Sequence, residues 1–216
     1  MSGILFWIFV GLLAYVYAGY PLLLALLARA RKKALYPPAA AEPCVTLLIA
    51  AYNEERCLAK KLENALSLDY PPAKLQILVA ADGSDDGTVA IARAFASRGV
   101  ELSYQPARQG KMAAINNAMP AARGELVVFS DANNLFEPAA LRELVGPFAA
   151  PEVGAVSGAK HILKDAGALS SSEGLYWKYE AFIKRQETRL GSCTGVSGEI
   201  FAIRRELFVP APRGII

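Results

Sequence analysis

The stretch "LQILVAADGSDDGT" (Leu75 to Thr88) joins an apolar run of strand length to three carboxylates and two glycines. Unbroken apolar runs of this length are the pattern of strands buried on both faces, and the Gly/Asp/Ser cluster after it is turn chemistry. The same texture repeats on either side. "CVTLLIAAY" (Cys44 to Tyr52), Val100 to Tyr104 and Leu126 to Asp131 read as further strands. "EERCLAKKLENALSL" has helical spacing at Leu58, Leu62, Ala65 and Leu66, and Thr88 to Ser97, Met112 to Met119 and Pro138 to Ala149 also read as helices. Strands alternating with single helices imply right-handed βαβ units, a mostly parallel sheet and helices on both faces. Ligands on such sheets bind beyond the carboxyl ends of the strands.

That rule gathers the polar residues. The ends of the first, second and fourth strands carry "YNEE" (Tyr52 to Glu55), "DGSDDG" (Asp82 to Gly87) and "DANN" (Asp131 to Asn134), all on one rim. Helix capping accounts for any one of them: Asn53 before Glu54 and Glu55, Ser84 or Asp85 before Thr88, and Asn134 before Glu137 and Pro138 all look like helix starts. Three carboxylate-bearing strand ends on one edge point instead to a nucleotide and a divalent cation. A helix-flanked calcium loop counted from Asp82 fits at Ser84, Asp86 and Gly87. It fails at its twelfth position, where Arg93 stands in place of the bidentate glutamate.

Outside this region the sequence is simpler. Ile4 to Ala28 contains no charged residue and exceeds the roughly 20 residues needed to cross a bilayer, so it reads as a transmembrane helix. It is too long, and its uncharged "MSG" start too weakly basic, for a cleavable signal peptide. "RARKK" (Arg29 to Lys33) follows, and basic flanks stay in the cytoplasm, which places the remainder on the cytosolic side of the cell (inner) membrane. That cluster holds more positive charge than the whole chain's net excess of +3, so no broad basic face is left for nucleic acid. Cys44, Cys57 and Cys193 are odd in number and widely spaced, which suits a reducing compartment, and the lone His161 reads as structural. "YPPAAAEP" (Tyr36 to Pro43) has the composition of a spacer. The expected organisation is an anchor over 1–33, a linker over 34–43 and a catalytic domain over 44–216.

Two familiar phosphate cradles are missing. "AAYNEE" offers none of the glycines of a dinucleotide fingerprint. Around Gly110 and Lys111 a Walker loop would need glycine and Ser or Thr where the chain has Gln105 and Met112. Diphosphate charge is left to a metal and to single cations such as Lys111.

The blocks "VTLLIAAYNEE", "ILVAADGSDDGT", "RQGKMAAINNAM", "VVFSDANN" and "GVSGEIFAIRREL" resemble, in order and spacing, the family-two inverting glycosyltransferases of the GT-A fold. The likeness is to the membrane-anchored processive branch with cellulose, chitin, hyaluronan and poly-N-acetylglucosamine synthases. It runs from Val45 to about Leu207. The resemblance implies a Rossmann-like α/β fold and transfer of a sugar from a UDP-sugar donor to a glycan or lipid-linked acceptor hydroxyl. Ala51, Tyr52, Asn53 and Glu54 would line the nucleotide pocket, with Asp82 and Gly83 at the uracil. Lys111 would approach the diphosphate. Asp131 and Ala132 open the family's D-x-D, and Asp131 with Asn133 would hold Mg2+ or Mn2+. Gly195 and Gly198 would admit donor sugar or acceptor, and Arg204 and Arg205 follow the strand after them.

Two departures stand out. The third D-x-D position is Asn133, a neutral and weaker ligand than a carboxylate. The family's base is a carboxylate after the segment matching "AIRREL", so it is expected beyond Ile216, with Glu199 the candidate inside this chain. The other class of function these residues allow is a nucleotide-sugar-binding module, or pseudoenzyme, without turnover.

Overall fold

The computed structural model describes residues 2–31, 42–160 and 167–212, the side chains of 167–173 apart. The chain forms two compact units, Tyr36–Gly158 with Ser197–Ile216 and Met1–Leu35 with Ala159–Val196. These units do not follow the linear anchor, linker and domain division, because the segment Ala159–Val196 groups with the N-terminal helix. His161 and most of the Pro/Ala-rich spacer lie outside the described residues.

The larger unit is a six-stranded sheet of order β3-β2-β1-β4-β6-β5. Strands β1 (Val45–Ala51), β2 (Leu75–Asp82), β3 (Val100–Gln105) and β4 (Leu126–Asp131) are parallel. Strand β6 (Ile200–Arg204) runs antiparallel to β4, and β5 (Ala155–Ser157) antiparallel to β6. Strand period sorts the core. Leu47 and Ile49 of β1 pack on one face with Leu58, Leu62 and Ala65 of α3 (Leu58–Leu66) and Leu141 of α6 (Ala140–Val145). Leu48 points to the other face, against Ala114, Ile115 and Ala118 of α5 (Lys111–Ala118). Helix α4 (Thr88–Ala94) joins the first face through Ala92. Helices α3, α4 and α6 are shorter than their sequence patterns, α5 has the expected length shifted by one residue, and a 3-10 turn follows each of α4, α5 and α6.

The two rims of this sheet differ. At the amino ends of the strands, the buried Thr46 hydroxyl donates to Gln76 Oε1 at 2.7 Å. Gln76 Nε2 donates to Glu101 and to the Ala121 carbonyl, and Arg123 pairs with Glu101. The buried Thr46 and Gln76 side chains are thus both partnered, as burial demands. Arg204 belongs to this rim too, opposite Leu126, where its guanidinium donates to the carbonyls of Phe148, Ala150 and Val153.

In the helical unit, α1 (Ser2–Ala14), a π turn (Tyr15–Gly19) and α2 (Tyr20–Ala30) form one helical stretch of 29 residues. At 1.5 Å per residue it is about 43 Å long, more than a hydrocarbon core of roughly 30 Å. A side chain at Gly19 would come within 3.0 Å of the Tyr15 ring, so the π turn is packed closely on its own helix. Pro21, Leu24 and Ala28 form the buried stripe of α2. Helix α7 (Gly167–Leu190) lies along that half: Tyr20 Oη donates to Glu187 at 2.7 Å, Tyr179 Oη to the Tyr17 carbonyl at 2.9 Å, and Arg31 to the Leu190 carbonyl. Trp177 carries the Lys160 ammonium 5.0 Å from its ring centroid.

Candidate nucleotide-sugar site

Strand order reverses between β1 and β4, and the crevice at such a switch point is where open α/β sheets bind ligands. Ala50 is opposite Asp131 across that point, and Ala51 is opposite Ala81 next to Asp82. The three polar strand ends therefore meet on one rim. Antiparallel β6 brings a fourth segment to it: Ile200 is opposite Ser130, so Gly198 and half-buried Glu199 stand beside the end of β4.

The "YNEE" and "DGSDDG" turns are bound to each other. Asn53 adopts a left-handed φ of 53°, a conformation asparagine tolerates better than most residues. Its Nδ2 donates to Asp85 Oδ1 at 2.6 Å, its Oδ1 accepts from Asp85 N at 3.1 Å, and its own N–H reaches Ser84 Oγ at 3.2 Å. Glu54 N donates to Thr88 Oγ1 at 2.8 Å, Glu55 N to Asp86 at 3.2 Å, and Gly87 N to Glu55 Oε2 at 2.9 Å. These bonds correct the capping expectations. Asn53 and Asp85 spend their side chains on one another, α3 begins only at Leu58, and α4 has Gly87 at its N-cap, with Asp86 before it accepting from Thr88 N at 2.9 Å. Asn134 does not cap α6, which begins at Ala140 after Ala139, and its Nδ2 is buried without a hydrogen-bond partner. The carboxylate of Glu54 accepts from the Cys57 thiol at 2.8 Å, and burial together with that contact pushes the thiol pKa up to about 11.

Asp82 is 3% exposed and fully engaged. It accepts from Gln109 N at 3.0 Å and from Gly110 N at 2.6 Å, so it anchors the "RQGK" turn that leads into α5. Gly83 is required at this anchor: at φ 63° any Cβ would stand 2.5 Å from Arg108 N. The turn projects two cations. Arg108 stacks its guanidinium 3.9 Å from the centroid of the exposed Tyr52 ring, a cation–π arrangement, and Lys111 pairs with Asp131. Beyond Asp131, Ala132 is buried and Asn133 is exposed.

Tyr52, Asn53, Glu54, Asp82, Gly83, Lys111, Asp131, Ala132, Asn133 and Gly198 thus lie on or directly behind one rim of the sheet unit, and Ala51 ends β1 beneath them. Gly195 belongs to the helical unit. A Cβ at Gly195 or Gly198 meets nothing within 4 Å, so neither glycine is demanded by the chain's own packing. Arg108 and Lys61 were not singled out by the sequence, although Arg108 is marked there by its place in "RQGK", and Asn134 entered only as a helix cap.

Among the described residues no cluster of three His, Cys, Asp or Glu side chains could hold a metal ion. At the end of β4 the chain supplies one carboxylate, Asp131, and the exposed amide Asn133. That donor set fits Mg2+ or Mn2+ bound jointly with substrate phosphates, the usual arrangement for hard cations that lack an all-protein cage.

The model for glycosyl transferase family 2 matches residues 46–209. The chain belongs to that family. It is 27% identical over 176 residues to a beta-monoglucosyldiacylglycerol synthase of Trichormus variabilis, covering 76% of this chain and 36% of that one. It is 29% identical over 160 residues to a poly-beta-1,6-N-acetyl-D-glucosamine synthase of Staphylococcus epidermidis, covering 71% and 38%. Among solved structures, the mannosyltransferase PcManGT of Pyrobaculum calidifontis, in complex with GDP-Man and Mn2+, superposes with a TM-score of 0.73 and 30% identity over 90% of this chain and 55% of its own. The chain spans about a third of the length of the curated relatives it matches. These comparisons support a GT-A-like α/β fold and a glycosyltransferase family whose structural neighbours bind nucleotide sugars.

Proposed function

We propose that this family-2 chain carries the donor site of a membrane-anchored inverting glycosyltransferase that uses a UDP-sugar, a divalent cation and a glycan or lipid-linked acceptor. The observation that carries this reading is the Lys111–Asp131 pair at the β1/β4 switch point, flanked by the Tyr52–Arg108 stack. Tyr52 and Arg108 offer a flat cationic platform for a nucleobase, and Asp82 backs the turn that presents them. Lys111 would pair with the diphosphate, and Asp131 with Asn133 would hold the cation. When bound, the cation stabilises negative charge on the leaving diphosphate. Lys111 adds its own charge at the same group, where charge develops during transfer.

A sugar hydroxyl is a poor nucleophile at neutral pH, so a base must take its proton as it attacks the anomeric carbon. Attack opposite the leaving diphosphate inverts that centre. The resemblance assigns the base to an acidic motif after "AIRREL". Glu199, on the same rim, is the alternative inside the described chain. Replacing Glu199 by Gln distinguishes them: retained transfer excludes Glu199 from proton transfer.

The apolar N-terminal helix, with Arg29 and Arg31 at one end, supports an anchor that leaves the sheet unit in the cytosol. A GDP-mannose donor is the second reading, favoured by the PcManGT likeness. Both are tested by presenting the full-length protein in membranes with labelled UDP-glucose, UDP-N-acetylglucosamine and GDP-mannose. Calorimetry with UDP, with and without Mn2+, tests the site. Tighter binding with Mn2+, lost in Asp131→Ala, is the expected result, and metal-independent UDP binding would overturn the assignment.

A further inference from the structure

Among the described residues of the sheet unit, Lys61 is a charged side chain whose chemistry conflicts with its surroundings. It lies on α3 at 0% exposure, and its Nζ has no hydrogen-bond partner. A buried ammonium without a partner is costly, and a residue used only to fill space would be apolar. What it touches is the loop after β4. Its Nζ lies 3.9 Å from the centroid of the Phe136 ring, on the attractive face for a cation. One turn along α3, Asn64 clasps the same residue, donating to Phe136 O at 2.9 Å and accepting from Phe136 N at 2.8 Å. Burial pushes the Lys61 ammonium down to about 7, and the negative charge of Asp131 pulls it upward.

Two lysines therefore bear on the charge of Asp131. Lys111 meets it from the exposed rim, and Lys61 acts on it from the core. Asn134 adds a second buried donor with no acceptor in the same loop. Lys111 and Lys61 outnumber the single carboxylate of the "DANN" segment, a local balance that suits an incoming diphosphate and opposes a cation arriving alone.

We propose that Lys61 is a positioning residue that sets the charge balance of the Asp131 loop, favouring a nucleoside diphosphate there and disfavouring a lone divalent cation, so that the cation enters together with the nucleotide. The inference rests on reading this rim as a nucleotide site. A fixed charge acts with opposite sign on anion and cation, and it acts more strongly from a low-dielectric interior than from a solvated surface. The resulting coupling is reciprocal: nucleotide raises metal affinity by the factor by which metal raises nucleotide affinity.

The experiment compares the full chain in detergent with Lys61→Met, which keeps length and removes charge, in mildly acidic buffer where the ammonium is protonated. Free Mn2+ is followed by electron paramagnetic resonance without nucleotide, and UDP and GDP binding by calorimetry in the presence of chelator. Lys61→Met is expected to bind Mn2+ alone more tightly and the nucleoside diphosphate more weakly, each by roughly three- to tenfold. A packing role would weaken both together or change neither, and either result overturns the proposal. Circular dichroism checks folding, and Lys61→Gln replaces Lys61→Met if the latter does not fold. Failure of the unsubstituted chain to bind UDP or GDP would overturn the nucleotide reading itself, and the role of Lys61 with it.

Discussion

Asp82 and Lys61 are both buried and ionisable, and they differ in what meets the charge. Asp82 accepts from two backbone N–H groups, whereas Lys61 has an aromatic face and a distant carboxylate. Asp82→Asn puts an amide where only acceptors are wanted, so urea unfolding should show a loss of about 1.5–3 kcal/mol, the range for hydrogen bonds to charged groups. Retained stability would mean the "RQGK" turn does not depend on the carboxylate. Lys61 gives a pH signature. Its folded pKa of about 7 is below the 10.5 of an ordinary lysine, so between those values the unfolded chain binds the extra proton. Stability should therefore rise with pH across that window, by up to ~1.4 kcal/mol per unit, and level off below it. Urea midpoints followed by circular dichroism should show this slope in the unsubstituted chain and lack it in Lys61→Met. Nothing in the sequence marked Lys61, because a lysine among helical spacing reads as a solvated face. Its significance comes from a tertiary fact, the absence of any acceptor near its nitrogen.

At the scale of elements, the parallel strands were legible because strands buried on both faces read as continuous apolar runs, and β2 and β4 begin and end where that pattern does. Strand β5 was not legible. Three residues, Ala155–Ser157, carry no period, and pairing with β6 alone defines them. The start of α3 was misread for a different reason: Asn53 looks like a cap locally, but Asp85, 32 residues later, takes its side chain. Gly83 joins the elements that this zipper connects. In Gly83→Ala a Cβ at φ 63° must displace Arg108, which costs of order 1–3 kcal/mol of local strain. Hydrogen exchange should show lost protection at the Gln109 and Gly110 amides with β1 and β4 unaffected, and UDP affinity should fall. Unchanged exchange there would show that the turn absorbs the methyl group without loss.

For the whole molecule, one sheet separates two tasks. The amino-end rim closes its polar groups in the Thr46–Gln76–Glu101–Arg123 network, and the carboxyl-end rim leaves Tyr52, Lys111, Asp131 and Asn133 available. Orientation belongs to this scale as well. With Arg29 and Arg31 at one end of the apolar helix, Ser2→Cys in a Cys-free background should react with an impermeant thiol reagent added outside intact cells. Protection from that reagent would reverse the topology. The strands were readable only as far as β4 and their order in the sheet not at all, since the antiparallel return of β6 depends on pairing between residues 70 or more positions apart.

Both tryptophans of the chain, Trp7 and Trp177, belong to the helical unit, and the sheet unit has none. Native emission excited beyond the tyrosine band therefore comes from the helical unit alone. Tyr52→Trp would move a fluorophore onto the Arg108 face, where a stacking nucleobase should quench it. The same molecule would then report on anchor and rim at separate wavelengths or lifetimes.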